Sequence, residues 1–306
     1  MILMVVEVIL FALSIAAVVS SIDFISKSVS SITRSFGVPE YLASTIILSF
    51  IISLPTFLIM FFSNVYGFPT FGVMTIIGTS IATISLIMGL FLLKNKISVA
   101  YERYRNATFM WASALLFLIV SLDNFIDRFD AIFMLLLFFF YCVYIFYRTG
   151  KSKEFVFLKP QKTKLLLLPF GILTIAIICF VIVATTAMIS TKYLIDVSIF
   201  GLTVLGLLLS LPLLDLIKNV FKTPTLTFDS LIGNLVVMLT VVPAVTALYC
   251  PFPYDITGNY GLAPLIILNI ITLSFALATR LRENLSKGTG IILILLYIGF
   301  LAFFLI

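Results

Sequence analysis

Long apolar stretches, separated by short polar or charged connections, make up most of this 306-residue chain. A helix needs about 20 apolar residues to cross a bilayer, whereas a spanning β-strand needs only about 9–11 residues of alternating polarity. The stretches are of the helical kind, so the pattern predicts an all-α integral membrane protein with ten transmembrane helices. The predicted spans are residues 2–21, 40–64, 70–93, 107–122, 129–147, 165–189, 197–219, 228–249, 261–279 and 289–306.

Two of these spans contain the same tripeptide, Ser53-Leu54-Pro55 in the second and Ser210-Leu211-Pro212 in the seventh. Proline inside a helix removes a backbone donor and clashes with the preceding turn. At membrane depth such irregular backbone is tolerated only where protein buries it or where it lines a wet cavity. We therefore predict that helices 2 and 7 are interrupted at Pro55 and Pro212, and paired interruptions of this kind point to a transporter's binding site.

Hydrophobic residues make up 62% of the chain and charged residues 10%, and the basic residues fall on one side of the predicted spans. With the N-terminus outside, all 19 lysines and arginines except Arg128 and Lys192 lie in cytoplasmic connections. The positive-inside rule therefore predicts a multi-pass protein of the cell membrane with both termini outside. The net charge of +6 then serves topology, and short scattered loops offer no basic face to nucleic acid. The expected partners are the lipid bilayer and a small ion.

A basic stretch at residues 148–164 divides the chain, with five predicted spans before it and five after it. An odd number of spans makes the second half insert in the opposite sense, which is the arithmetic of an inverted repeat. The predicted organisation is a first five-helix repeat at 1–147 with its core at 40–93, and a basic cytoplasmic linker at 148–164. A second, inverted five-helix repeat follows at 165–306, with its core at 197–249.

The chain offers little for catalysis. It has no histidine, and its three cysteines, Cys142, Cys179 and Cys250, fall within or at the ends of predicted spans, where they act as small packing residues. No arrangement resembles a nucleophile–base pair or a hydrolytic carboxylate pair. The run Thr149-Gly150-Lys151-Ser152 lacks the upstream glycine of a phosphate-binding loop. We therefore expect no enzyme and no bound cofactor other than a monovalent cation or a proton.

Residues 45–89 and 201–247 resemble the two α-repeats of the sodium/calcium exchanger (cation/calcium exchanger) superfamily. The core of that family reads Gly-Thr-Ser-Leu-Pro-Glu, and a Gly-Asn-x-x-Gly-Ser-like motif follows on the next helix. The corresponding segments here are Ile51–Thr56 and Leu208–Leu213, with Gly78 and Gly233 near the second motifs. Ten spans, outside termini and a central cytoplasmic loop are also similar to that family. The resemblance implies the exchanger fold and a secondary transporter that works by alternating access.

The sequence departs from this family at the ion site. The resemblance implies that one carboxylate from each repeat would coordinate calcium at the midplane, because a hard divalent ion needs several oxygens and compensating charge. Thr56 and Leu213 occupy those two positions here. A site of hydroxyl and carbonyl oxygens is neutral and holds a desolvated divalent cation poorly, so ordinary calcium exchange is not expected.

The polar residues at membrane depth are mainly hydroxyls. The candidate residues of an ion pathway, for which no particular metal is assigned, are Ser49, Ser53, Thr56, Thr75, Thr79, Thr203, Ser210, Asp215 and Asn234. Thr75, Thr79 and Thr83 recur every four residues and therefore share one helix face. They either line a half-site for a monovalent cation, a proton-carrying water chain or a polar substrate, or they satisfy carbonyls of their own helix.

Two further candidates also have two interpretations each. Asp215 either faces a cavity or pairs with Lys218, and Asn234 either offers a carbonyl oxygen to an ion or makes an interhelical bond. The pattern favours a divergent cation antiporter that binds its ion between helices 2 and 7. The alternative is a non-transporting structural or regulatory membrane subunit that binds a partner protein. Thr56, the threonine row and Asn234 favour transport, whereas apolar side chains around the second break favour the scaffold, namely Leu208, Leu209 and Leu213.

Overall fold

The computed structural model describes residues 40–98, 101–149, 162–193, 197–214, 224–255, 261–281 and 284–305. Within these ranges the chain forms nine helices and two pairs of short strands. The predicted first span at residues 2–21, most of the predicted linker at 148–164 and the candidate Asp215 lie outside the described residues.

Three of the helices contain a π-helical turn. Helix α1 comprises Glu40–Leu42, the π-helical turn Ala43–Ile47 and Leu48–Val65. Helix α2 comprises Pro69–Ile81, the π-helical turn Ala82–Ile87 and Met88–Lys94, and helix α6 comprises Val197–Phe200, the π-helical turn Gly201–Leu205 and Gly206–Ser210. The others are α3 (Tyr101–Val120), α4 (Arg128–Thr149), α5 (Lys162–Tyr193), α7 (Pro224–Tyr249), α8 (Leu262–Leu281) and α9 (Lys287–Leu305).

These nine helices coincide with the second to tenth predicted spans, and seven of them are long and apolar enough to cross a membrane. The largest difference at the start of a helix is at α3, which begins at Tyr101 rather than at residue 107. Its first turns carry Glu102, Arg103 and Arg105, so the apolar pattern begins later than the helix does. The apolar helix of α6 is shorter, from Ser198 to Leu214.

The two helices at the centre of the described bundle are α2 and α7. Their apolar spans are 83% and 89% buried inside the protein, compared with 22% for α4 and 33% for α5 and α9. The outer helices expose large apolar side chains, among them Phe129, Phe133 and Leu295. A helix that is apolar all round and exposed on one side is typical of a protein whose surroundings are lipid.

Glycines allow two pairs of helices to cross with their backbones in contact. A Cβ on Gly78 of α2 would lie 1.9 Å from the carbonyl oxygen of Leu202 in α6, and one on Gly206 would lie 2.6 Å from the carbonyl carbon of Gly78. A Cβ on Gly233 of α7 would lie 2.3 Å from the carbonyl oxygen of Thr45 in α1. Small residues let helix backbones approach closely in membranes. These two crossings therefore hold α2 against α6 and α7 against α1.

Two short antiparallel strand pairs join loops at the helix ends. Strand β1 (Ile97–Ser98), between α2 and α3, pairs with β4 (Asn284–Leu285), between α8 and α9. Strand β2 (Phe125–Ile126), between α3 and α4, pairs with β3 (Phe252–Pro253), between α7 and α8. Each pair thus ties a loop from the first half of the chain to a loop from the second half.

Pro55 does not interrupt its helix, so this part of the sequence-based prediction is wrong. Helix α1 remains helical from Leu48 to Val65 with a buried Pro55 inside it. A proline within a membrane helix is tolerated where neighbouring groups compensate for the altered backbone. The thiol of Cys179 in α5 lies 3.7 Å from the carbonyl oxygen of Pro55, so a neighbouring helix contacts the backbone at this point. The N–H that Pro55 lacks removes one backbone hydrogen bond, whereas packing against neighbouring residues stabilises the helical turn around it.

At Pro212 the hydrogen-bond pattern of the helix is locally altered, although the backbone of Leu211 keeps helical angles (φ −58°, ψ −38°) and the apolar helix extends to Leu214. The helical segment of α6 ends at Ser210, Leu211 lies in a turn, and residues 212–214 are helical again. Pro212 has no N–H to donate to the carbonyl of Leu208, and the N–H of Leu211 donates to that carbonyl instead at 3.3 Å. The second tripeptide therefore alters one turn of its helix, whereas the first leaves the helix assignment continuous.

Candidate functional site

The candidate residues that the structure describes are distributed over four helices and are almost completely buried. None has more than 2% of its surface exposed, and they belong to α1 (Ser49, Ser53, Thr56), α2 (Thr75, Thr79), α6 (Thr203, Ser210) and α7 (Asn234). Two of these helices, α1 and α6, carry the Ser-Leu-Pro tripeptides. The other two, α2 and α7, are the central helices.

The hydroxyl groups of most of these residues donate to carbonyls of their own helices. The donated bonds are Ser53 to Phe50 (3.1 Å), Thr75 to Phe71 (2.8 Å), Thr79 to Thr75 (2.7 Å), Thr203 to Ile199 (2.8 Å) and Ser210 to Leu207 (2.7 Å). A hydroxyl has one hydrogen and two lone pairs, so a hydroxyl that has donated its hydrogen is left as an acceptor. The oxygens of these five side chains therefore present lone pairs, which is the property that a cation ligand needs.

The two tripeptide serines have the same local geometry. Ser53 and Ser210 both donate to the carbonyl three residues earlier, whereas the site threonines donate to the carbonyl four residues earlier. Each serine stands two residues before its proline, at the start of the turn that the proline alters. The similarity of these bonds shows that the two tripeptides orient their serines alike, although only the second one has a turn residue, Leu211, within it.

Ser49 is engaged at a helix crossing. Its hydroxyl lies 2.8 Å from the carbonyl oxygen of Thr45 and 3.3 Å from that of Ser230 in α7. A Cβ on the adjacent Gly233 would lie 2.9 Å from the Ser49 hydroxyl oxygen. Ser49 therefore holds α1 against α7. Its contact at Gly233 is one residue before Asn234.

Four buried polar groups in the described central helices have no hydrogen-bond partner, namely the hydroxyls of Ser80, Thr83 and Ser85 in α2 and the amide oxygen of Asn234 in α7. Asn234 donates from its amide nitrogen to the thioether sulfur of Met238 at 3.4 Å, which is a weak acceptor, and its amide oxygen has no hydrogen bond. The hydroxyl of Thr83, in the π-helical turn of α2, also has none. A buried polar group without a partner costs about 1–3 kcal/mol, and π-helical turns recur at functional sites. The amide oxygen of Asn234 and the hydroxyl oxygen of Thr83 could therefore each accept a contact from a cation.

The site residues that the structure describes include no carboxylate. Leu213 directly follows the second tripeptide, as Thr56 follows the first. It is 2% exposed and packs in the main hydrophobic core. In the part of the chain that the structure describes, no group of three or more His, Cys, Asp or Glu residues is placed to hold a metal ion. The charge of any cation bound here would thus be balanced only by the dipoles of hydroxyl, amide and carbonyl groups.

A buried ion pair lies next to the contact between Ser49 and Ser230, and the sequence-based reasoning missed it. Asp229 of α7 is 2% exposed, and its Oδ2 lies 3.6 Å from Nη2 of Arg148, at the end of α4. The amide of Asn106 in α3 donates to Asp229 Oδ1 at 2.7 Å and to the hydroxyl of Tyr41 in α1 at 3.1 Å. Arg148 also donates to the Tyr41 hydroxyl and stacks over its ring, with the guanidinium carbon 4.2 Å from the ring centroid.

Four helices meet in this cluster of Tyr41, Asn106, Arg148 and Asp229, and each contributes one side chain. Among the acidic residues whose side chains the structure describes, Asp229 alone is buried. The signal available in the sequence was an aspartate just inside an apolar span, since residue 229 follows the predicted start of the eighth span at 228. Its partner Arg148 was assigned to the linker, so the pairing could not be recognised before the helices were assembled.

The helices, their burial and their apolar outer surfaces define an all-α integral membrane protein, and the candidate residues that the structure describes are buried and uncharged. A family model described as "Sodium/calcium exchanger protein" matches residues 6–147 and 163–306. The chain belongs to the sodium/calcium exchanger family, which is a family of cation transporters.

Solved structures of the sodium-calcium exchanger NCX_Mj share this fold. The form soaked with 100 mM Na+ and 10 mM Sr2+ has a TM-score of 0.71 at 20% sequence identity, over 97% of this chain and 98% of that chain. The form soaked without Na+ and Ca2+ has a TM-score of 0.66 at 20% identity, with the same coverage. A comparison with curated proteins gives no match.

Proposed function

We propose that this protein is a cation antiporter that binds a monovalent cation between α1, α2, α6 and α7 and works by alternating access. In this proposal it has ten transmembrane helices in two inverted five-helix repeats, at residues 1–147 and 165–306, joined by the basic linker 148–164. The observation that carries the proposal is the chemistry of the buried site, in which hydroxyl oxygens from both halves of the chain present lone pairs and no formal charge.

The positions of the helix crossings support the inverted repeat. The two glycines of the crossings face the carbonyl oxygens of Thr45 and Leu202. Each of these two residues lies ten positions before the proline of the tripeptide in its own helix. Both residues lie in a π-helical turn. The partner glycines, Gly233 and Gly78, are on the helix that follows the other tripeptide. The contact between α2 and α6 is therefore the counterpart of the contact between α7 and α1.

The loop strands support the same symmetry. If α2 to α4 correspond to α7 to α9, then β1 corresponds to β3 and β2 corresponds to β4. The pairing of β1 with β4 is then the counterpart of the pairing of β3 with β2. The two segments that match the family model also fall on either side of residues 148–162, one in each half.

The absence of a carboxylate among the described site residues favours a monovalent cation over calcium. Moving a divalent ion out of water without compensating charge is much more costly than moving a monovalent one. The family and the structures of NCX_Mj soaked with sodium make sodium the first cation to test. The interior of the chain would then replace the hydration shell of the ion with hydroxyl and amide oxygens.

Replacement of Thr56 by valine is expected to abolish gradient-driven cation flux. Valine has nearly the shape of threonine but lacks the oxygen, so the site loses a ligand without losing volume. The measurement is isotope uptake into proteoliposomes, with sodium, potassium and calcium tested against imposed sodium and proton gradients. Asn234→Leu is expected to have the same effect, because it removes the amide oxygen that has no partner in the protein.

The matched control for these variants is Thr246→Val. Thr246 is also buried, and its hydroxyl donates to the carbonyl of Val242 at 2.9 Å. It lies near the C-terminal end of α7, whereas Asp229 lies near the start of that helix. It therefore tests the loss of a buried hydroxyl outside the proposed site, and flux should persist. Flux that survives in Thr56→Val and Asn234→Leu would contradict the proposed site, even if the protein proved to be a transporter.

Leu213 favours a second candidate function, that of a non-transporting membrane subunit. Leu213 follows the second tripeptide, as Thr56 follows the first, and its side chain packs in the core. This packing is expected of a scaffold that has lost its ion site. A non-transporting membrane subunit should show no flux of any tested cation under any gradient, in the parent protein as in the variants. That result would replace the antiporter proposal and direct attention to a protein partner.

We also propose that the end of the bundle with Arg148 faces the cytoplasm, so that both termini lie outside. Cys250 follows α7 at the opposite end and is exposed, whereas Cys179 is buried and Cys142 lies within α4. A membrane-impermeant maleimide should therefore label the protein in intact cells, and Cys250→Ser should abolish that labelling. Labelling that appears only after the cells are permeabilised would reverse the orientation.

A further inference from the structure

We propose that Asp229 forms a second cation site, separate from the neutral central site, and that the guanidinium of Arg148 is its tethered occupant in this conformation. The site takes a monovalent cation such as sodium when Arg148 leaves. The proposal concerns the cluster of Tyr41, Asn106, Arg148 and Asp229, and it does not depend on the central site binding an ion.

The contacts of Arg148 mark where a free cation would bind. Its two terminal nitrogens contact a carboxylate oxygen of Asp229 at 3.6 Å and the phenol oxygen of Tyr41. The face of the Tyr41 ring covers the guanidinium at 4.2 Å. A carboxylate oxygen, a neutral oxygen and an aromatic face are three groups that attract any cation. The protein therefore already has the ligands of a cation site, and at present a side chain fills it.

Asn106 supplies a further oxygen. Its amide nitrogen is shared between Asp229 and Tyr41, while its amide oxygen is buried and has no partner. Rotation of the amide would bring this oxygen toward the carboxylate, and the rotation becomes favourable only when a cation takes up the charge between the two oxygens. An unpartnered and fully buried acceptor beside a carboxylate is expected in a site that is built to accept a positive ion.

The charge balance selects a monovalent ion. One carboxylate neutralises one positive charge, as it now neutralises Arg148, and a calcium ion would keep a net positive charge in a buried position. Calcium also prefers six to eight oxygens, whereas this cluster offers a carboxylate, a phenol and an amide. Sodium in place of the guanidinium leaves the net charge of the cluster unchanged.

Arg148 is placed to leave the site. It is 17% exposed, whereas Asp229 is 2% exposed, so the arginine already reaches the edge of the protein while the carboxylate cannot. Long basic side chains at the ends of membrane helices readily extend toward water. Along α7, Asp229 precedes Asn234 by five residues, or about 7.5 Å of helix. The second site therefore lies on the same helix as the proposed central site, toward the Arg148 end.

The test compares the thermal stability of purified variants in sodium chloride and in N-methyl-D-glucamine chloride at equal ionic strength. Arg148→Gln should gain a saturable, sodium-specific rise in melting temperature that Arg148→Gln/Asp229→Asn lacks. The parent protein should need at least about 10-fold more sodium for half of its Asp229-dependent rise, because the tethered arginine reduces the fraction of open sites. Arg105→Gln is the matched control, since it removes an exposed arginine that covers Tyr144 at 5.3 Å.

The difference between Arg148→Gln and the double variant isolates Asp229, because any sodium bound at the central site contributes equally to both. An identical sodium response in these two variants would overturn the proposal and leave the pair with a purely structural role. If Arg148→Gln does not yield folded protein, the parent is compared with Asp229→Asn at high sodium concentration. Loss of part of the sodium response in Asp229→Asn supports the second site, and an unchanged response refutes it.

Discussion

Alanine at Gly78 is expected to destabilise the helix bundle by about 3 kcal/mol or more, although it adds only one methyl group. The new Cβ would lie 1.9 Å from the carbonyl oxygen of Leu202 and 2.7 Å from its carbonyl carbon. These are backbone atoms, so no side chain can rotate away to make room. Helices α2 and α6 would have to separate along the whole crossing, and α2 is one of the two most buried helices. The measurement is thermal unfolding of the purified protein in detergent.

Gly299→Ala in α9 provides the matched control. Nothing lies within 4 Å of a Cβ at Gly299, and the residue also stands inside an apolar helix. Alanine is the better helix former by about 0.5–1 kcal/mol, so this variant should be as stable as the parent or slightly more stable. Equal stability of Gly78→Ala and Gly299→Ala would show that the α2–α6 crossing is looser than the structure has it.

Loss of Arg148 is expected to destabilise the protein more than loss of Asp229. Arg148→Met leaves a buried carboxylate without its counter-ion, and breaking a buried pair in this way costs about 3–5 kcal/mol. Asp229→Leu leaves an arginine that is already 17% exposed and can extend into water, so its cost should be clearly smaller. Thermal unfolding in a sodium-free buffer measures both, because sodium would occupy the proposed second site.

The double variant Arg148→Met/Asp229→Leu completes the comparison. With both charges removed, the cluster contains no unpaired charge, so stability should recover relative to Arg148→Met. Arg105→Met again serves as the control for removing an exposed arginine. A larger cost for Asp229→Leu than for Arg148→Met would mean that the arginine, rather than the aspartate, is trapped in the interior.

The described interior of this transporter separates charge from the proposed transport site. The central candidates on α1, α2, α6 and α7 are hydroxyls and one amide, whereas the buried aspartate lies at the start of α7 and is paired. A neutral site can release a monovalent ion easily, because it provides little more than a substitute for the hydration shell. In the proposal above, Asp229 provides the attraction of a formal charge, whereas the central oxygens do not.

The sequence predicted the helices well because their signal is local. Apolar runs of the right length identify membrane spans wherever they occur, and the second to tenth predicted spans all correspond to helices. The start of α3 was missed because Glu102, Arg103 and Arg105 interrupt the apolar pattern without ending the helix. The predicted break at Pro55 was wrong because a proline's local preference is weaker than the packing around a buried turn.

The candidate site was predicted in part for the same reason. Hydroxyls in apolar spans can be read directly from the sequence, and all the candidates that the structure describes are indeed buried. The sequence could not tell that Ser49 lies at the crossing with α7, or that the amide oxygen of Asn234 has no partner. Both facts depend on which residues of another helix stand opposite.

By itself, then, the sequence determined that this is an all-α membrane protein of the exchanger type. It also determined that Thr56 and Leu213, rather than carboxylates, follow the two Ser-Leu-Pro tripeptides. Only the tertiary structure decided that Pro55 stays within a helix, that Gly78 and Gly233 are contact points, and that Asp229 pairs with Arg148. The physical reason is the range of the forces involved. Hydrophobicity and helix length act within a segment, whereas close packing and the pairing of buried charges depend on residues distant in the chain.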